Sequence, residues 1–158
     1  MMSNVTTNPS KHLIEKSIEQ RSPFTAGHLL RNKKGPAGLV SIGPGQRVSE
    51  AFVLMEFQEF SELPVVEGGR VVGNLSDVTL AREVHFGTNL GEKTVRDIME
   101  SPLLQVDVNV DIQEVYQLLR REQPGLIVTQ GNKAVGFLNR LDLVDYWKRQ
   151  TFWDKGGI

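Results

Sequence analysis

The chain has 158 residues, a formal net charge of −1, 39% hydrophobic and 23% charged residues, and no cysteine. This length suits one ordinary domain or two small units that share a core, and the composition is that of a soluble globule. It excludes disulfides and thiol chemistry and fits a cytoplasmic protein; no apolar run of about 18 residues could span a membrane, no signal peptide opens the chain, and the mixed charges give no footprint for nucleic acid.

In chain order, residues 1–22 read as a polar leader followed by a linker or docking helix over Lys11–Gln20, with Leu13, Ile14 and Ile18 on one face. Thr25 is placed to cap a short helix that ends near Arg31. A basic loop, Arg31-Asn32-Lys33-Lys34-Gly35-Pro36, follows; it reads as a solvated turn or as a phosphate contact. Leu39–Ile42 reads as a short strand and Gly43-Pro44-Gly45 as a turn, without the third glycine of a dinucleotide fingerprint. Ser49 is expected to cap a helix carrying Val48, Phe52, Met55 and Glu56, with Phe57 and Phe60 extending its apolar side. Leu63–Val66 and Arg70–Leu75 read as strands joined by a Gly68-Gly69 hairpin turn, and Ser76 opens a helix with Leu80, Ala81 and Val84.

The polar connector His85–Gly91 marks a boundary, after which the order repeats. Thr94 caps a helix to Met99, Leu103–Val106 is a strand, and Asp111 caps a helix with Ile112, Val115, Tyr116, Leu118 and Leu119. Leu126–Thr129 and Ala134–Leu138 form the second strand pair, and Asn139 opens a last helix with Leu141, Leu143, Val144 and Trp147. Residues 151–158 read as a tail. The repeat is clearest where Gly69–Leu80 recurs as Asn132–Leu143, with Val72, Gly73, Leu75 and Leu80 meeting identical residues at Val135, Gly136, Leu138 and Leu143. The matching order upstream divides the chain into units at 23–88 and 89–150. Helix faces around Val48–Phe57 and Ile112–Leu119 are expected to stay partly uncovered, which implies a homodimer.

Catalytic chemistry is hard to find. His12, His28 and His85 are scattered, read as surface residues, and have no partner at metal-ligand spacing. No Ser, His and Asp set or paired carboxylates converge, and no Walker-type lysine loop is present, so the chain does not read as an enzyme. One polar residue breaks the repeat: Asp142 lies three residues after Asn139, where the first copy has Thr79. A carboxylate at a helix start favours its ionised form, and it either offsets the dipole or accepts hydrogen bonds from a vicinal diol.

The motifs Phe60-Ser61-Glu62-Leu63-Pro64-Val65-Val66, Gly69–Ser76 and Val135–Asp142, in this order and in tandem, resemble the CBS domain family, and the pair resembles a Bateman module. The likeness runs from Phe24 to Trp147 and is strongest to the regulatory tail of cystathionine β-synthase, without its catalytic half. It implies an α+β fold of two β-α-β-β-α repeats packed about a pseudo-twofold axis. It also implies a homodimer and clefts for adenosyl effectors: AMP, ADP, ATP or S-adenosylmethionine. Carried over position by position, one cleft combines Ser41, Ile42, Phe60 and Leu63 with Asn139, Leu141 and Asp142, Phe60 offering a face to adenine and Asp142 holding the ribose hydroxyls. Asn139 stands where the family has Ser or Thr. The other cleft combines Gln105, Gln123 and Leu126 with Ser76 and Thr79 and has neither an aromatic residue nor a carboxylate. The function implied is a regulatory module that signals to a partner enzyme or fused domain; the alternative is a structural pair that dimerises and binds no nucleotide.

Overall fold

The computed structural model describes residues 24–36, 38–121 and 123–152. The expected helix over Lys11–Gln20, His12 and the tail beyond Phe152 lie outside these residues. In order, the elements are α1 (Ala26–Asn32), α2 (Val48–Gln58), β1 (Glu62–Glu67), β2 (Arg70–Ser76), α3 (Asp77–His85), α4 (Val95–Ile98), β3 (Gln105–Asp107), α5 (Ile112–Leu119), β4 (Leu126–Gln130), β5 (Lys133–Leu138) and α6 (Arg140–Phe152).

Two antiparallel hairpins form the frame. In β1–β2, Leu63 faces Leu75 and Val65 faces Gly73; in β4–β5, Leu126 faces Leu138 and Val128 faces Gly136. Each register slips at the corresponding place, at Val65/Val66 and at Val128/Thr129, so the sequence repeat is also a repeat of backbone irregularity. Gly68 and Gly69 both have positive φ, as a tight hairpin turn of this hand requires. The repeated glycines beyond the bulge have a steric cause. A Cβ at Gly73 would stand 2.6 Å from Met99 Sδ, and one at Gly136 2.4 Å from Leu30 Cδ1. Leu30, in the last turns of α1, and Met99, just after α4, sit at equivalent positions, and each meets the strand where only hydrogen leaves room.

The two hydrophobic cores exchange their leading helices. α1 contributes Ala26 and Leu29 to the core of Val106, Ile112, Val115, Leu126, Val128 and Leu138, in the second half of the chain. Val95 of α4 instead joins Ile42, Val48, Met55, Leu63, Val65 and Leu75 in the first. Backbone bonds fix the exchange: Ala26 N–H to Val110 O (2.8 Å) and Gly27 N–H to Val108 O (2.8 Å) on one side, Val95 N–H to Gln46 O (2.8 Å) and Arg96 N–H to Pro44 O (2.9 Å) on the other. This reciprocity is the pseudo-twofold arrangement of an α+β pair, and it makes each small unit depend on the other for its core.

Some local expectations change. Thr25, Ser76 and Asp111 cap their helices as expected, accepting from His28, Thr79 and Gln113 N–H. Ser49 does not cap α2. The helix starts at Val48, two residues earlier than a Ser49 cap would set it: Arg47 is the cap residue, its N–H donating to Glu50 Oε1 (3.0 Å), and Val48 and Ser49 N–H donate to the carbonyls of Lys93 and Leu90. The strand expected over Leu39–Ile42 reduces to one parallel bridge, Ile42 with Val65, held by Ile42 N–H to Pro64 O and Val66 N–H to Ile42 O. Its counterpart β3 is a full strand that runs parallel to β4. His28 is not a surface residue: it is half-buried, with ring centroids 4.7 Å from Phe24 and 5.6 Å from Tyr146. On α5, Ile112, Val115 and Leu119 are buried, while Tyr116, packed on Trp147, and Leu118 are half-buried, so this helix face is only partly uncovered. α2 offers an uncovered face through Val53 and Phe57, the latter 80% exposed.

Candidate functional site

β2 and β5 meet at the seam between the halves, where Ala134 N–H donates to Gly69 O (3.0 Å). Beside this seam lies a cleft of about 340 Å³, lined by Leu30, Lys33, Pro36, Gly38, Val40, Glu59, Phe60, Ser61, Glu62, Pro64, Pro124, Phe137, Asn139 and Leu141. That volume falls in the range of small-molecule sites, about 300–1,000 Å³.

The pleat decides which residues reach it. Leu63 and Val65 point into the core, so their neighbours Glu62 and Pro64 point to the cleft. By the same alternation Leu138 is buried and Phe137 faces outward, its ring lying where a Cβ on Gly125 would stand, 2.3 Å from Phe137 Cζ. Phe60 arrives by another route. α2 closes with Phe60 N–H to Met55 O (2.9 Å) and Glu59 N–H to Glu56 O (3.3 Å), a Schellman turn with Glu59 at φ 57°. That left-handed residue ends the helix and directs Phe60 to the cleft.

Asn139 and Asp142 form a reciprocal cap on α6. Asn139 N–H donates to Asp142 Oδ2 (2.8 Å), and Asp142 N–H donates to Asn139 Oδ1 (3.1 Å). Asn139 thus performs the capping that a Ser or Thr would. Lys33 Nζ lies 3.2 Å from the same Asp142 Oδ2 and donates to Phe137 O at 2.8 Å, and both side chains of the pair are nearly buried, at 12% and 11% exposure. On the opposite wall Glu62 accepts from Asn74 Nδ2 (2.7 Å). Its carboxyl pKa is raised above the ordinary 4.5, chiefly by burial; Asp77 and Glu100 add to this and the Asn74 bond opposes it.

The structure therefore brings together Phe60, Asn139 and Leu141 on the cleft wall, with Asp142 behind Asn139. It does not bring Ser41, Ile42 or Leu63 there. Leu63 is a core residue because of the pleat; Ile42 is spent on the bridge to β1 and the first core; Ser41 lines a shallow depression under α2, with Gln46, Val53 and Phe57. Val40, Glu62 and Pro64 take their places. Lys33 and Phe137 were not among the expected site residues. Counting in twos back from the core residue Leu138 would have excluded it and pointed to Phe137, and Lys33 lies in the basic loop already singled out for a phosphate contact.

The symmetry-related cleft is built differently. Glu100 pairs with Asn74 through its backbone (Asn74 N–H to Glu100 O, 2.9 Å; Glu100 N–H to Asn74 O, 2.8 Å), and its carboxylate accepts from Ser76 Oγ (3.1 Å). Thr79 is buried against Ser76, Leu126 is in the core, and Gln105 lines a separate polar depression with Arg70 and Thr129. Gln105 and Leu126 are not gathered around Ser76 and Thr79. Among the described residues no group of three or more His, Cys, Asp and Glu is disposed to hold a metal ion, and no helix is long and apolar enough to cross a membrane.

Known proteins share this architecture. The CBS domain model matches twice, at residues 37–85 and 95–149. The CBS domain-containing protein YhcV of Bacillus subtilis (strain 168) is 27% identical over 106 residues, 66% of this chain and 76% of that protein. The crystal structure of the CBS domain protein NE2398 superposes with a TM-score of 0.68 at 26% identity, over 79% of this chain and 98% of that one. CBSX2 in complex with AMP superposes with a TM-score of 0.67 at 23% identity, over 81% and 98%. With both matched stretches falling on the two halves of one exchanged-helix pair, the chain belongs to the CBS domain family, as a tandem pair.

Proposed function

We propose that the chain is a non-catalytic regulatory module. Its cleft takes an adenosyl effector (AMP, ADP, ATP or S-adenosylmethionine), and the occupied pair acts on a partner enzyme or a fused domain, as the regulatory tail of cystathionine β-synthase does in its own protein. One observation carries this reading: an aromatic-lined cleft at the seam of the halves has a nearly buried carboxylate, Asp142, fixed at the helix start beside it. Phe60 and Phe137 offer faces to a purine, with Val40 and Pro64 as the apolar floor. Asp142 accepts the ribose hydroxyls; Asn139 and Leu141 complete that wall. The complex of CBSX2 with AMP supports the choice of ligand class.

The protein acts as a homodimer, through the face on which α2 exposes Phe52, Val53 and Phe57. That same face favours the alternative, a structural pair that dimerises and takes no nucleotide. Thermal melts against a panel of adenosyl compounds separate the two. A ligand at 100 times its dissociation constant adds about 2.7 kcal/mol of stability. A structural pair melts at one temperature throughout the panel.

A further inference from the structure

We infer that Lys33 is the specificity-determining residue of the cleft, and that it selects adenosyl ligands of net negative charge over neutral or net cationic ones. The inference rests on the adenosyl reading of the cleft and goes beyond it, because that reading is indifferent to the ligand's charge.

Lys33 lies just past the end of α1, and that end is anchored: Arg149 Nη2 of α6 donates to Asn32 O at 2.6 Å. The side chain then runs inward along Phe137, with Nζ 5.9 Å from the ring centroid. An ammonium has three N–H donors. Among the described residues Nζ has two partners, Phe137 O (2.8 Å) and Asp142 Oδ2 (3.2 Å). The side chain is only 12% exposed and forms part of the cleft wall, so its third donor is available to a ligand in the cleft. Lys33 is the only cation among the lining residues; the other charged ones, Glu59 and Glu62, flank Phe60 on the far wall and repel an anion from that side.

The pseudo-symmetric cleft shows what the lysine replaces. There the carbonyl equivalent to Phe137 O, that of Asn74, is satisfied by the backbone N–H of Glu100 at 2.8 Å. A backbone pairing of this kind closes the position. A lysine side chain satisfies the same carbonyl with one of three donors and brings a charge to the cleft wall. A ribose that engages Asp142 competes with Lys33 for Oδ2; a phosphate on that ribose compensates the ammonium, a neutral nucleoside does not, and a sulfonium adds repulsion.

The test is titration calorimetry of the full chain with AMP, adenosine and S-adenosylmethionine, in the wild type and in the variants Lys33→Met and Lys33→Arg. The wild type should bind AMP about ten- to a hundredfold more tightly than adenosine, the range of one charge-assisted hydrogen bond, and S-adenosylmethionine most weakly. In Lys33→Met the AMP-to-adenosine ratio should fall towards one, and Lys33→Arg should keep it. If Lys33→Met does not fold, Lys33→Gln, polar but uncharged, takes its place in the same comparison. Adenosine bound as tightly as AMP, or S-adenosylmethionine bound more tightly than AMP, overturns the role of Lys33 and leaves the adenosyl reading standing. An unchanged ratio in folded Lys33→Met does the same. No binding of any of the three overturns both.

Discussion

At the scale of single residues, the cleft is a place where charge is held at a cost. From sequence Asp142 either accepts a diol or only offsets the helix dipole, the latter worth about 0.3–1 kcal/mol at the surface. Its pairing with the nearly buried Lys33 makes it more than that. Removing it strands an ammonium, so Asp142→Ala should lower stability by about 1–3 kcal/mol, measurable by denaturant unfolding. A loss within the surface range would mean the ion pair contributes nothing. Glu62 gives the pH-dependent counterpart. A carboxyl whose folded-state pKa is raised stabilises the folded state fully below its ordinary pKa of 4.5, and this contribution is lost as pH rises through the raised value. Glu62→Gln abolishes that loss. The variant should therefore gain stability relative to the wild type as pH climbs from 4.5, then hold a constant difference; a pH series of melts in which the difference stays flat or shrinks would contradict the burial argument. Asp142 was legible in the sequence because it breaks the repeat. Its partner was not, since Lys33 reaches it from across the seam and no local spacing joins the two.

At the scale of elements, two devices shape the cleft. The first is the end of α2. Glu59 occupies a left-handed position that glycine fills more readily, and its conformation costs about 1–2 kcal/mol relative to a right-handed one. Glu59→Gly should stabilise the protein by up to about 1 kcal/mol after the entropy of the unfolded glycine is counted, and it removes a carboxylate from the wall. A lower melting temperature would show that the Glu59 side chain makes up for its backbone. The second device is the pair of bulged hairpins, whose glycines admit Leu30 and Met99. Gly136→Ala should cost about 1–3 kcal/mol by overpacking against Leu30, and it should disturb the cleft because Leu30 lines it. An unperturbed melt would mean that Leu30 gives way freely. The hairpins, the side-chain caps of Thr25, Ser76, Asp111 and Asn139 and the repeat were all legible, because they rest on neighbours in sequence. The start of α2 and the missing strand at Leu39–Ile42 were not, since carbonyls from the connector and from β1 decide them.

At the scale of the whole molecule, the exchange of leading helices makes the two repeats one folding unit. It also explains why the residues meet as they do: α1 carries Lys33 across to the second half, so a charge from the beginning of the chain faces a carboxylate near its end. The order of elements and the repeat were readable from sequence, but the exchange was not, because both leading helices have the same cap and the same apolar pattern and either core would accept either. One exposed apolar face lies on α2, through Val53 and Phe57. A double substitution there, Val53→Asp with Phe57→Asp, should convert a dimer into a monomer in light scattering while leaving the fold intact; a protein already monomeric at micromolar concentration would remove the dimer from the account.

The measurement closest to the central claim is calorimetric titration of adenosine, and of adenine beside it, into the wild type and into Asp142→Ala. Adenosine is the right probe because it carries the diol without a phosphate to engage Lys33. Two results are expected together: one site per chain in the wild type, because Glu100 occupies the symmetry-related position, and about a ten- to hundredfold weakening for adenosine in the variant with adenine nearly unchanged. Two equal independent sites, or adenosine affinity unaltered in a folded Asp142→Ala protein, would mean that the carboxylate serves only the helix and that the ligand, if there is one, binds elsewhere.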